Sequence, residues 1–120
     1  MKYELTQRFY FEAAHTLHRE VDADPSRRIH GHTYLAEATV AGEPDPSTGM
    51  LIDLAELRSA IDRVRQMLDH RFLDEVPDIG PPTLENLCAF VWKQLLDPKW
   101  LLHSVTVRRE ASGDQCRLTA

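Results

Sequence analysis

A chain of 120 residues with 42% hydrophobic and 28% charged side chains suits one domain, residues 1–120, around one core, and carries too much apolar surface for a disordered polypeptide. Its net charge of −5 excludes the basic footprint of a nucleic-acid binder, and no run nears the ~20 apolar residues of a membrane span. The charged Met1–Arg8 segment lacks the apolar stretch of a secretory signal, so a cytoplasmic location is expected, and Cys88 and Cys116 offer neither a disulfide framework nor a C-x-x-C thiolate site.

From Tyr3 to Phe11 apolar residues occupy odd positions, the period of a half-buried strand. Residues 16–29 show no period and read as a long loop, a kind of segment that in compact domains is usually functional. The basic pair Arg27-Arg28 within it suits either an anionic small ligand or plain solvation. Thr33 to Val40 predicts a second strand, closed by the turn-rich run Gly42-Glu43-Pro44-Asp45-Pro46-Ser47-Thr48-Gly49.

Asp53 stands as an N-cap with Glu56 three residues on, ahead of a helical stripe of Leu54, Leu57, Ile61, Val64 and Leu68. Pro77, Gly80, Pro81 and Pro82 end that segment, and Thr83 caps a second helix with the stripe Leu84, Leu87, Val91 and Leu95. Val105 and Val107 alternate with polar residues, and Gly113-Asp114 turns the chain into Gln115–Thr119. The order ββααββ predicts an α+β domain: a four-stranded antiparallel sheet with two helices on one face, its other face uncovered by this chain and open to oligomerisation.

His30-Gly31-His32 puts two imidazoles on one side of an extended chain, with Gly31 admitting close approach. Such a pair serves as metal ligands or as hydrogen-bonded surface histidines. A third nitrogen from His15, or from His18 in its place, would make three protein ligands with one open position, as in catalytic zinc sites. Asp69-His70, where the first helix ends, suits an oriented general acid or base, or a histidine settled at a helix C-terminus. Glu110, read with Arg108 on the alternate face from Val105 and Val107 in the strand before the last turn, is an exposed carboxylate or a bidentate acceptor for a guanidine-like heterocycle.

Phe11-Glu12-Ala13-Ala14-His15, His30-Gly31-His32, the Gly42–Met50 loop, Leu68-Asp69-His70 and Pro82-Thr83-Leu84-Glu85-Asn86 occur in an order that resembles the 6-pyruvoyl- and 6-carboxytetrahydropterin synthase family, nearly end to end. The resemblance implies a tunnelling-type (T-fold) subunit whose sheets join into a barrel, with stacked trimers forming a homo-hexamer and active sites at subunit interfaces. It implies Zn2+ on His15, His30 and His32, a proton relay by Asp69 and His70, a pterin ring anchored by Glu110, and Thr83 and Glu85 in a segment that helps bind it. The expected activity is a zinc-dependent lyase acting on 7,8-dihydroneopterin triphosphate, of the 6-carboxytetrahydropterin type that serves queuosine biosynthesis.

One position departs. The family's catalytic cysteine, four residues before the histidine triplet in the carboxy type, is Ser26 here, and the pyruvoyl-type spacing falls on Asp24. A serine hydroxyl is far less acidic than a thiol, whose pKa is about 8.5. Asp24, Asp22 or Glu20 is then the substitute base, as in family members that use a carboxylate here and release a 6-hydroxymethylpterin, or the chain is an altered homologue that keeps zinc and ligand binding.

Overall fold

The alternation that opens the chain runs further than its apolar residues show. In the computed structural model, which describes residues 1–21 and 23–120, strand β1 spans Tyr3–His15 and buries Phe9, Phe11, Ala13 and His15 on one face. The connection that follows contains a five-residue helix, α1 (Ala23–Arg27), where only loop was expected; five residues are too few to display a helical period. Strand β2 (His30–Gly42) starts at the histidine triplet rather than at Thr33, because pairing with β1 extends it: His15 lies opposite His30 and Ala13 opposite His32.

Gly42 leads into a turn in which Asp45 Oδ1 accepts from the Ser47 amide at 2.8 Å and Gly49 takes φ 73°, a left-handed conformation that glycine adopts without a Cβ clash. Helix α2 (Leu54–Leu68) is capped by Asp53, whose carboxylate accepts from the Ala55 amide at 2.9 Å, and it buries Leu57, Ala60, Ile61, Val64 and Leu68. Each such leucine or valine, once sealed from water, contributes about 1.5–3 kcal/mol. A two-residue strand, β3 (Arg71–Phe72), runs parallel to β1 beside Ala13 and Ala14, followed by a 3-10 turn over Leu73–Glu75.

Helix α3 (Leu84–Leu95) is capped by Thr83, whose Oγ1 accepts from the Asn86 amide at 3.1 Å. At its other end the Trp100 indole donates to the Leu95 carbonyl at 2.8 Å, satisfying a group the helix leaves open. Strands β4 (Leu101–Arg109) and β5 (Asp114–Thr119) close the chain as an antiparallel hairpin. The sheet therefore has five strands, in the order β3-β1-β2-β4-β5, and not four; the parallel β3 is the addition.

Helix α2 packs over β1, and α3 over β4 and β5, so both long helices cover one face. Tyr34, Ala36, Ala38 and Val40 of the central β2 are buried beneath them with Phe9, Phe11, Val105 and Val107. No helix of the described residues covers the opposite face, and that face is polar: Glu37 Oε1 lies 2.9 Å from Arg108 Nη2 and 3.4 Å from Arg8 Nε, and the Thr6 and Thr39 hydroxyls meet at 2.8 Å. No helix among the described residues is long and apolar enough to cross a membrane.

Candidate active site

Because odd residues of β1 and even residues of β2 share the helix-covered face, the register brings His15, His30 and His32 to one point at the end of the sheet. His15 Nε2 lies 2.9 Å from His30 Nε2 and 3.0 Å from His32 Nε2, with the three rings nearly perpendicular to one another. His18 does not join them; it lines a separate cavity with Leu17, Asp74 and Pro82.

The tautomers follow from the backbone. His15 Nδ1 faces the Pro82 carbonyl at 2.9 Å and His30 Nδ1 faces the Arg28 carbonyl at 2.7 Å, so each Nδ1 carries the proton and donates it. Both Nε2 lone pairs then confront each other at 2.9 Å, an arrangement that only a shared proton or a cation relieves. Burial, the nearby His30 and the Arg109 guanidinium outweigh the Pro82 carbonyl and push the His15 pKa down; burial foremost, then His15, Arg109 and His30, push His32 down to about 4. Near neutral pH these are unprotonated nitrogen donors, and three imidazoles with one side open are a donor set that fits a divalent metal such as zinc.

The Thr83 cap therefore reaches the cluster through the chain itself, since it fixes the start of α3 and with it the buried Pro82 carbonyl that orients His15. Glu85, in the first turn of α3, is exposed, and Thr83 lines the cavity that holds His18 rather than those beside His32.

Two open cavities flank His32 and share Gly31 and Thr33. One, of about 570 Å³, is also lined by Glu12, His70 and Phe72; the other, of about 470 Å³, by Tyr10, Arg109 and Glu110. A Cβ on Gly31 would meet only the Ala13 carbonyl at 3.6 Å, so this glycine leaves space between the cavities rather than relieving a clash.

His70 follows the α2 cap Asp69 at φ 57°, held there by the hydrogen bond that its backbone amide donates to the Glu12 carbonyl at 2.6 Å. Asp69 is fixed from two sides: Oδ1 accepts from the Glu12 amide at 2.9 Å and Oδ2 lies 3.0 Å from Arg65 Nη2. The Glu12 amide first, then Arg65, hold its carboxyl below the usual range. His70 itself is exposed, with Nε2 3.7 Å from Asp69 Oδ2.

Glu110 differs from expectation. Strand β4 ends at Arg109, so Glu110 begins the turn and is exposed; the residue that continues the inward face of Val105 and Val107 is Arg109. Ser26 is buried in α1 at 4% exposure, its carbonyl accepting from the Leu17 amide, while Glu20 and Asp24 are exposed. Among the described residues, neither cavity beside His32 is lined by any of the three, and Asp22 lies outside the described residues.

Two residues of the site escaped sequence reasoning. Tyr34 is fully buried under the cluster, its ring 5.6 Å from that of His32 and stacked on Phe11 at 4.8 Å. Burial pushes its hydroxyl up to about 12. Arg109 acts electrostatically on His15, His32 and Tyr34 alike. Period-2 counting from His32 and from Val107 lands on both, and was the available signal.

Residues 4–119 match the sequence profile of 6-pyruvoyl tetrahydropterin synthase. The chain belongs to the 6-pyruvoyl tetrahydropterin synthase family. The 6-pyruvoyl tetrahydrobiopterin synthase of Drosophila melanogaster is 36% identical over 121 residues, covering 86% of this chain and 71% of that protein. The Homo sapiens enzyme of the same name is 32% identical, covering 87% and 83%. The solved Caenorhabditis elegans 6-pyruvoyl tetrahydropterin synthase matches with a TM-score of 0.83 at 26% identity, covering 100% of this chain and 96% of that one. A Plasmodium vivax synthase whose catalytic glutamate was mutated to alanine shares the fold at a TM-score of 0.74 and 17% identity, covering 100% and 98%.

Proposed function

We propose that this protein is a zinc-dependent lyase acting on 7,8-dihydroneopterin triphosphate, of the 6-carboxytetrahydropterin type. The observation that carries the metal is the pair of backbone carbonyls, Pro82 and Arg28, that turn the His15 and His30 Nε2 lone pairs toward one point beside His32. Zinc held there would act as a Lewis acid on the side-chain hydroxyls of the substrate and make them more acidic.

The remaining work falls to the chain. His70, across the 570 Å³ cavity from His32, moves a proton at the substrate side chain, with Asp69 and the Glu12 backbone setting where it stands. Glu110, in the other cavity, accepts the two N–H groups of the pterin ring. Thr83 and Glu85 line neither cavity beside His32, so any part they take in binding the ring would come at the site of a neighbouring subunit. The base that a cysteine would supply comes from a carboxylate of the Glu20–Asp24 segment, because Ser26 is both buried and too weak an acid. The edge strand β5, with its outer side unpaired among the described residues, supports assembly into the hexamer of stacked trimers.

A second reading is a homologue that binds zinc and pterin without turnover. It is favoured by one observation, that Glu20 and Asp24 are exposed and line neither cavity beside His32. Mass-spectrometric product analysis after incubating zinc-loaded protein with 7,8-dihydroneopterin triphosphate separates the two. A 6-carboxy product establishes the first reading, a 6-pyruvoyl or 6-hydroxymethyl product keeps the lyase and changes its type, and unchanged but bound substrate establishes the second.

A further inference from the structure

The 470 Å³ cavity brings three unlike groups to the edge of the histidine cluster: the exposed ring of Tyr10, the carboxylate of Glu110 and the guanidinium of Arg109. Arg109 is fixed in place. Its Nη2 lies 3.1 Å from Asp114 Oδ2, which also accepts from the Ser112 hydroxyl at 3.0 Å, and its side chain is only 17% exposed. Its Nε and the Tyr34 hydroxyl are both buried and without a hydrogen-bond partner among the described residues. Glu110 forms no ion pair among the described residues, although a cation is its chain neighbour.

A carboxylate beside a guanidinium is the complement of a flat ring whose edge runs amino, N–H, carbonyl. The carboxylate accepts from the first two, and the guanidinium donates to the third. The pyrimidine half of a pterin has that edge, as 2-amino, N3–H and O4. We propose that Arg109 donates to the ring carbonyl of the heterocycle held by Glu110, so that the cavity selects a 2-amino-4-oxo ring over a 2,4-diamino ring, whose 4-amino group would set donor against donor. This specificity role rests on the pterin reading above and assigns a residue for which that reading has no task.

Dissociation constants for 6-hydroxymethylpterin and 2,4-diamino-6-hydroxymethylpteridine, measured with zinc-loaded full-length protein and its Arg109→Leu variant, test it. Any share of the preference that comes from Glu110 is common to both proteins and cancels. The preference for the 4-oxo ligand falls about tenfold in Arg109→Leu, since a hydrogen bond is lost on one side and a donor clash on the other. The Arg109→Lys variant, which keeps the cation and a donor, retains most of the preference and serves if the leucine variant does not fold. An unchanged preference, or equal loss of both ligands through a loosened Asp114 turn, overturns the assignment while leaving the pterin site standing. Binding of neither ligand by the unaltered protein refutes the pterin reading itself, and the role of Arg109 falls with it.

Discussion

Replacing His32 by alanine separates a metal centre from a mere cluster of histidines. The three-imidazole arrangement sits at the sheet end, with His32 half-buried and bordering both cavities, so the substitution removes a ligand without opening the core. In the metal-free protein it also removes one of the nitrogens crowded within 3.0 Å of His15 Nε2, so the apo variant melts no lower than the apo parent. Metal at one hundred times its dissociation constant stabilises the parent by about 2.7 kcal/mol. At about 2.1 cal/mol/K of unfolding entropy per residue, that is a rise of about 10 °C for a chain of 120 residues. The variant shows neither the rise nor one bound metal per subunit, as read by thermal melts with and without zinc and by elemental analysis after gel filtration. Full metal content in His32→Ala, or an equal zinc-induced rise, refutes the three-histidine assignment. His15→Ala contrasts with it: His15 is 1% exposed and holds the Pro82 carbonyl, so its loss lowers apo stability by about 1–3 kcal/mol as well as removing metal.

Acidification tests the depressed histidines. Their folded pKa lies below the unfolded value of 6.5, so the unfolded chain takes up protons first; stability of the apo protein falls as pH drops from about 6.5 toward 4, and bound metal is released over the same window, as followed by melts and a metal-sensitive dye. His70→Ala lowers turnover by about 10²–10⁴ while metal content and melting temperature stay at the parent values, because the side chain is exposed and outside the histidine cluster. Thr83→Ala removes the α3 cap and costs about 1 kcal/mol in denaturant unfolding, with weaker metal binding because Pro82 no longer holds His15 as firmly. In the native protein at pH 8, Cys88 resists a thiol reagent that labels it once denatured, since burial and the neighbouring Cys116 push its thiol up to about 12.

Both long helices and their caps were legible because Asp53 and Thr83 carry the capping chemistry in the side chain itself, and each precedes an apolar stripe. The end of the β1–β2 pairing nearest the connection between them was less so. Ala13 and His15 continue the inward face without being large or apolar, and His30-Gly31-His32 has little strand propensity; the cross-strand register, a long-range fact, makes them strand. The parallel β3 is two residues deep and exists only because Ala13 and Ala14 present free backbone groups to it, which no local pattern encodes. The histidine set was legible for a related reason: i and i+2 on an extended chain face one side, and His15 ends the neighbouring strand. Glu110 was misplaced by counting one residue too far along β4, since the strand yields to a turn after Arg109.

The site divides into a part the backbone secures and a part it leaves to the side chains. His15, His30 and His32 are aimed by strand register and by two main-chain carbonyls, groups that survive substitution of their own residues. The groups proposed for the base and for ring binding sit elsewhere: Ser26, Asp24 and Glu20 on the β1–β2 connection, and Arg109 and Glu110 where β4 gives way to its turn. Both segments can change a donor into an acceptor, or a thiol into a hydroxyl, without moving the three histidines. A serine at position 26, where the proposed reaction would otherwise use a cysteine, would be a change of that kind. On the proposed function, with the histidines held by main-chain geometry beside a base of different chemistry, Ser26→Cys restores cysteine-type turnover only if α1 lets the buried side chain turn toward the cluster. A variant with unaltered zinc content and an unaltered product would place the base on a carboxylate of the 20–24 segment.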